Sequence, residues 1–414
     1  MKKETTLLLI YALSVWSFGA YAQTIKVDAE IRSRAEYRQG FREPLADTLR
    51  SSTVNNLRTK LNFVYSAENI RAKISLLDTR TYGSTSTSNT GNSLGILEAW
   101  GEYRFNPQFA FTLGRQSLEY DDKRIFSANN WSNTPGAHDL LLAKYTSGKL
   151  EAHLGTAWNN AGDSTQYLSA YTKTYKSLVF LWLTHPIGKV TASAIAVNES
   201  FEKGNEPTIR TVYRNTIGTN IGLKNSQIPL SFLFSAYYQF GHDNSQKDLN
   251  AYLLALKLEQ QLSQIWTVHA GGDWFSGSDT KTTSSKSHTF NKLYGTNHAF
   301  NGSIEYWGNI PSQGLTDLYG GISARFSPKF DIDFTFHKFS TSKSISENVG
   351  KNIGSEIDIT ANYNLSKEFS LQGGWSGYFV TKGTRIIKKK TDIDTKFPQW
   401  AYIMIAFKPT FFSK

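Results

Sequence analysis

No cysteine occurs anywhere in the 414-residue chain. That absence excludes a disulfide scaffold and any thiolate metal or redox site, so a metal would need carboxylate or histidine ligands. Long apolar runs are missing as well. Beyond the N-terminus no window approaches the roughly 18 uninterrupted apolar residues that a membrane-crossing helix requires, which excludes a helical membrane protein. No Pro-rich, Gly/Ser-rich or charge-block linker marks a boundary, so one domain is the better reading, although length alone would allow two. No glycine-rich phosphate loop follows a strand and opens a helix.

The N-terminus carries Lys2 and Lys3, an apolar stretch from Leu7 to Phe18, and then Ala20, Tyr21 and Ala22. A charged start, a short apolar core and a small-x-small site describe a secretory signal peptide, residues 1–22, leaving a mature chain of 23–414 that begins at Gln23. As a membrane anchor the run is too short and lacks a stop-transfer flank. The formal charge of +11 falls by one unit when Lys2, Lys3 and Glu4 leave with the signal. Such an excess attracts polyanions. An exported protein meets acidic glycans, lipopolysaccharide phosphates and organic anions, not nucleic acid. The competing explanation is that surplus Lys and Arg sit in solvated loops.

The period of the apolar residues fixes the fold class. Ile25, Val27, Ala29 and Ile31 alternate with Lys26, Asp28, Glu30 and Arg32, and the alternation continues to Tyr37 and Arg38. Only a strand sends successive side chains to opposite faces in this way. The same segregation recurs at 56–65, 330–337 and 356–363. Many segments run ten residues or more, which suits a tilted membrane-crossing strand better than the usual strand of a soluble sheet. Aromatic residues make up 14% of the chain, and many stand near segment ends, where interfacial girdles place them.

Polar links at about 39–53, 81–93, 120–136, 161–167, 199–207, 242–247, 277–314, 341–354 and 381–397 alternate with tight turns near Glu68, Pro107, Gly148, Gly188, Ser226, Ser263, Pro328 and Lys367. Nine long links and eight short ones predict an all-β fold: a transmembrane antiparallel β-barrel of 18 strands in the outer membrane, with both termini periplasmic and the long links external. Residues 297–307 look passably strand-like, but counting them breaks the alternation, so 277–314 is one external loop. A loop of that length is a candidate for folding back into the pore.

Eighteen strands leave an aqueous channel, so the charged faces are expected to line water. Arg32 and Arg34 stand about 7 Å apart along one face and Arg38 about 14 Å beyond Arg34, with Arg58 and Lys60 on the second strand and Arg71 and Lys73 on the third. Glu30, Glu36, Glu98 and Glu102 are interleaved. Rings of Arg and Lys are what anion-conducting pores use; an ion-pair ladder that merely keeps the barrel round is the competing reading. Arg115 shares parity with the lipid-facing Phe109, Phe111 and Leu113. A bulge at Gly114 would turn it inward, sending Leu118 and Tyr120 outward with Ser117 and Glu119 inside; snorkelling to the rim is the alternative. Enzymatic constellations are weak. Asp331 with Asp333, and Glu356 with Asp358, are spacings any polar strand face produces; Asp121 and Asp122 lack the spaced ligand set of a calcium loop; His138 beside Asp139 makes no triad by itself. The expectation is a non-enzymatic pore with no cofactor and no metal.

The stretch from Gly114 to Phe126 (GRQSLEYDDKRIF), followed by Asn130-Trp131 and His138-Asp139, resembles the alginate-export porin family, in the branch common in Bacteroidetes-type bacteria. The segments around Arg34–Tyr37, Leu57–Leu61, Leu97–Trp100, Leu293–His298 and Gly354–Asp358 fit the same pattern in the same order. The resemblance implies an eighteen-stranded barrel narrowing at an arginine-rich constriction suited to acidic polysaccharide. Carried over by motif, Arg34, Arg58, Arg115, Arg124 and His298 are candidate lining residues, with Glu36 and Glu98 as counter-charges and Lys60 beside them. Relatives often have Arg before the Ser-His-Asp step, where this chain has Gly136-Ala137-His138-Asp139. Three other readings stay open: a general small-solute porin, an outer-membrane lipid-acting enzyme, and a structural or adhesive barrel. The expected partners are outer-membrane lipids and lipopolysaccharide, with anionic polysaccharide or small anions as cargo.

Overall fold

The computed structural model describes residues 23–84, 93–163, 166–224, 229–279, 286–346, 348–391 and 394–414; the expected signal peptide and the turn at Asn225-Ser226 lie outside them. Among the described residues eighteen strands follow one another around a closed wall, each antiparallel to the next. They are β1 (Thr24–Gln39), β2 (Ser52–Ser66), β3 (Ile70–Thr81), β4 (Gly95–Arg104), β5 (Phe109–Gln116), β6 (His138–Ser147), β7 (Leu150–Trp158), β8 (Ser177–Ile187), β9 (Val190–Lys203), β10 (Arg210–Lys224), β11 (Leu230–His242), β12 (Asp248–Gln261), β13 (Trp266–Phe275), β14 (Leu315–Ser327), β15 (Phe330–Ser340), β16 (Asn352–Asn364), β17 (Phe369–Phe379) and β18 (Gln399–Phe407), the last continued by Thr410–Ser413. Closure is direct: Ile31 to Gln39 of β1 lie opposite Phe407 to Gln399 of β18. The Ile25 N–H donates to the Lys414 carbonyl at 2.9 Å, so no strand edge is left open.

The wall is inverted relative to a soluble sheet. Ile31, Tyr37, Phe63, Ile74 and Phe111 are exposed on the outside, while Arg32, Arg34, Glu36 and Arg58 are buried within. An apolar outside and a charged inside are stable together only when lipid surrounds the barrel. No helix among the described residues is long and apolar enough to cross a membrane; the crossing elements are strands. Among the described residues the short turns and the ends at Gln23 and Lys414 share one rim, and the long links share the other.

Three long links leave the rim and fold into the barrel. Residues 117–137 bury Leu118, Tyr120, Ile125 and Phe126 against the inward Leu178 and Phe180 of β8. Residues 276–314 bury Phe290, Ile304, Tyr306 and Trp307 beside Phe275, Phe339 and Tyr378. They hold a two-residue strand, Lys286–Ser287, along Asp248 and Leu249, and no strand at 297–307. Residues 380–398 carry the helix α1 (Lys382–Ile387), whose Thr381 caps the Thr384 N–H, and Lys388 after it donates to the Tyr306 carbonyl. The first two links are stitched together: the Tyr294 N–H donates to the Ile125 carbonyl at 3.0 Å and the Ser127 N–H to the Tyr294 carbonyl at 3.1 Å. Burying each large apolar side chain contributes roughly 1.5–3 kcal/mol, enough in sum to keep these links inside.

The expected bulge at Gly114 is not there. Leu113, Gly114 and Arg115 pair in unbroken register with Gly101, Trp100 and Ala99 on one side and with Leu141, Leu140 and Asp139 on the other. The irregularity lies one strand earlier, where Ser75 faces Glu98 and Leu76 faces Ile96, leaving Leu97 as the extra residue. Gly114 is required for a different reason: its φ is +121°, and a Cβ there would stand 2.3 Å from the Ala99 carbonyl oxygen. Arg115 therefore keeps the outward parity of Phe111 and Leu113. Leu118 and Tyr120 turn inward, and Ser117 and Glu119 are the less buried pair.

Candidate functional site

The period-two pattern of β1 and β2 sends Arg32, Arg34 and Arg58 inward, but not into open water. Link 117–137 lies over them and presents its carbonyls. Arg32 donates to the carbonyls of Asn130 (2.6 Å), Trp131 (3.0 Å) and Ser132 (2.9 Å). Arg58, 1% exposed, donates to Asn130 and Ser132 at 2.8 Å each and is ion-paired with Glu30. Arg34 joins the Trp131 carbonyl at 3.0 Å, stacks on the Trp131 ring at 4.6 Å, and meets Glu36 at 2.9 Å. Glu36 also accepts from Arg38 and from the Trp400 indole, both at 3.0 Å. Glu98 pairs with Lys73, and Lys60 stands half-buried on the same inner face. Charged donors on neutral carbonyls contribute more than ordinary hydrogen bonds, so this patch is a clamp on the link.

Arg124 anchors the same link from its other end. Its guanidinium is bidentate to Asp273 (2.7 Å twice), reaches Asp122 at 2.9 Å, and covers the Phe300 ring at 3.8 Å. Burial works against its charge, but Asp273 and Asp122 override it and hold the guanidinium firmly protonated. His298 stacks on Trp131 at 3.9 Å and stands 3.4 Å from Glu305. Burial alone would raise the Glu305 carboxyl; His298 and Arg42 hold it below the usual range. Arg34, Trp131 and His298 thus form one stack joining wall, first link and second link. Arg115 is elsewhere: it pairs with Asp139 at 2.9 Å, both partly exposed on the outer side at the long-link rim.

Two cavities lie on either side of residues 290–310. Toward the long-link rim a vestibule of about 460 Å³ is lined by Arg214, Asn244, Asn291, Lys292 and Asn297. Beyond it a chamber of about 340 Å³ is lined by His298 to Ser303, by Lys257, Glu259 and His269, and by Asp273, Asp317, Asp333, His337 and Asp358. Lys292 is the residue that sequence reasoning missed. Its stem reaches the vestibule, while its ammonium is enclosed and has no hydrogen-bond partner among the described residues. Burial, with Arg124 adding repulsion, lowers it to about 8, and the attraction of Glu305 and Asp273 only partly compensates. Lysines within inward links carry no periodic signature, so only the fold of the link could single it out.

The remaining candidates for chemistry are committed to structure. Glu356 accepts the Ile304 N–H at 2.8 Å and Asp358 the Ser303 N–H at 3.1 Å, so this pair holds the second link. Asp331 accepts from Asn362, and Asp333 from Ser323 and Thr335. His138 meets the Tyr175 hydroxyl at 3.0 Å while Asp139 faces Arg115 outside, so the two do not converge. Asp121, raised by burial, takes the Trp182 indole N–H at 2.9 Å, and Asp122 is spent on Arg124 and Ser235. No group of three or more metal-ligating side chains is assembled among the described residues.

A model of the family described as alginate export matches residues 23–381. No curated protein sequence matches. Among solved structures, Acinetobacter baumannii OccAB4 superposes with a TM-score of 0.65 at 12% identity, covering 95% of this chain and 99% of that one. Pseudomonas aeruginosa OpdK, solved with vanillate, gives 0.63 at 9% identity, with 94% and 99% covered. OccK11 (OpdR) of the same organism gives 0.61 at 10%, with 94% and 96% covered. At these identities the likeness shows the fold: a closed porin barrel.

Proposed function

This chain belongs to the alginate-export family of outer-membrane β-barrel pores, and we propose that it conducts anionic solutes passively, alginate-like acidic polysaccharide among them. The observation that carries the anionic reading is the Lys292 ammonium, enclosed beside Arg124 without a hydrogen-bonded counter-charge and tethered to the vestibule wall. Because the ammonium is enclosed, it would act on a carboxylate arriving from the rim through its uncancelled field and not by direct contact. Beyond the vestibule Lys60 stands on the β2 side of the lumen without an ion-pair partner within 4 Å among the described residues, opposite the carboxylates of β12–β16, while Lys73 and Lys144 are paired with Glu98 and Glu102, so anions would keep to the Lys60 side. In this reading Arg34, Glu36, Arg58, Glu98, Arg124 and His298 act by holding the links that shape the passage, and Arg115 braces the rim. Catalysis plays no part, because the candidate acids and His138 are occupied as joints.

The test is single-channel recording in planar bilayers under a salt gradient, with oligouronates and simple carboxylates added as blockers. Anion preference and block by uronates are expected; cation preference would refute the reading. A second reading, a small-solute porin without polymer preference, is favoured by the volume that the inward links fill and by the acid-rich chamber. Vanillate, the molecule in the OpdK structure, is a small carboxylate of that kind. Block by monomeric carboxylates and not by oligouronates would select it.

A further inference from the structure

We propose that the outer wall over β9–β12 binds a phosphorylated, acylated glycolipid of the outer leaflet. The register aligns Ala194, Thr219, Ala236 and Leu254 in one row across four strands, all on the lipid-facing side. The adjacent row, nearer the long-link rim, holds Ile217, Tyr238 and Tyr252. Short side chains below a ridge of long ones leave a furrow of about 540 Å³, whose outward lining is apolar apart from Thr219 and the tyrosine hydroxyls. That surface suits hydrocarbon.

Tyr252 also lines a second, larger space. A cleft of about 750 Å³ opens at the rim above it, with Trp274 beside Tyr252 at 6.1 Å, edge to face, and with Lys247, Lys286, Lys343 and His288 around it. Asp243 lies in the same cleft, but one of its oxygens is engaged by the N–H groups of Ser245 (2.8 Å) and Lys247 (3.0 Å). The lysines therefore outnumber the carboxylates, Asp243 and Asp279.

The two spaces meet at Tyr252 and have opposite chemistry: cationic and hydroxyl-rich at the rim, apolar down the wall. A ligand that fills both is an amphiphile with an anionic head. The long-link rim is the external one in bacterial barrels, which places the head in the outer leaflet. The cleft is larger than one phosphodiester needs, and Ser245, Ser278, Ser312 and Asn250 supply hydrogen-bonding groups that a sugar uses and a bare phosphate does not. The furrow, Tyr252 and Trp274 face away from the lumen, while the cleft shares Asp243, Ser245, Ser287 and Thr289 with the vestibule; lipid retention and conduction are separate readouts, so the proposal stands or falls independently of the transport reading.

The test is native mass spectrometry of the detergent-extracted full-length barrel, titrated with diphosphorylated lipid A, with dephosphorylated lipid A and with phosphatidylglycerol. Retention of diphosphorylated lipid A is expected at a concentration about tenfold lower than that of either comparator. The variant K247E/K343E should lose that advantage, and A236W, which fills the furrow, should weaken binding of both lipid A forms. K247E/K343E lies outside the barrel strands, so the test stands even where A236W does not assemble; heat-modifiable migration on gels reports assembly of each. Equal retention of phosphatidylglycerol, or undiminished lipid A binding by assembled K247E/K343E, would overturn the proposal.

Discussion

Replacing Lys292 with Met removes one charge and keeps most of the volume. The ammonium is lowered from 10.5 to about 8, a difference that corresponds to about 3 kcal/mol at pH 7 when each unit is worth 1.36 kcal/mol. The sign follows from which state holds the proton. Between about 8 and 10.5 the unfolded chain binds it and the folded barrel does not, so wild-type stability rises with pH across that window. Below 8 the full cost is present; above 10.5 it vanishes. Lys292→Met is therefore expected to be more stable than wild type at pH 7, by up to about 3 kcal/mol in urea unfolding from lipid vesicles, and indistinguishable from it at pH 11. Conduction should change in the opposite sense. With a midpoint near 8, about nine in ten ammonium groups are charged at pH 7 and about one in ten at pH 9. The wild-type reversal potential should lose anion preference over that interval, while the variant starts low and stays flat. A residue that costs stability and supplies selectivity is one retained for its function. A variant with wild-type reversal potential at pH 7, or one destabilised at that pH, would refute the reasoning.

Arg58→Ala leaves Glu30 without its partner and the Asn130 and Ser132 carbonyls with Arg32 as their remaining donor; a thermal-melt and urea comparison should show a loss of about 3–5 kcal/mol, chiefly from the unpaired Glu30, with noisier, larger conductance as link 117–137 loosens. Arg115→Leu breaks a partly exposed pair at the outer rim and should change stability by less than about 1 kcal/mol, with an unaltered reversal potential. Because the chain contains no cysteine, single-cysteine variants report topology cleanly: position 247 should label on intact cells and position 106 should not, and the reverse result would invert the barrel. N-terminal sequencing of protein extracted from the outer membrane should return Gln23.

The wall was legible because it is built by a local rule. Alternation depends only on each residue and its neighbours, so β1 and β2 could be read residue by residue, and the long and short links gave the count and the closure. Leaving 297–307 out of the strand count agrees with the structure because the same alternation of links demanded it. Parity failed at Gly114, where glycine permits a positive φ and a close strand approach without inserting a residue. The true insertion, Leu97, is an apolar residue before Glu98 that looks like any other strand position. What lies inside the barrel was not legible, since inward packing joins residues far apart: Tyr294 meets Ile125, and His298 meets Trp131.

That hidden packing decides what the arginines do. A charge lining water projects a field; a charge whose partner stands within 3 Å projects mostly a dipole, which fades quickly across a wide lumen. Arg34 with Glu36, Arg124 with Asp273 and Asp122, and Arg58 with Glu30 belong to the second kind, and their remaining donors are spent on carbonyls and carboxylates of the structure itself. Counting arginines along β1 and β2 therefore overstates the field an arriving solute meets. Selectivity should instead track cations that the fold leaves without any hydrogen-bonded partner; Arg32 lacks a carboxylate but spends its donors on the carbonyls of residues 130–132, whereas Lys292 has no partner among the described residues although no motif distinguishes it. Measured one at a time at pH 7, loss of an arginine should lower the melting temperature and leave the reversal potential nearly unchanged, whereas loss of Lys292 should raise the melting temperature and lower the anion preference.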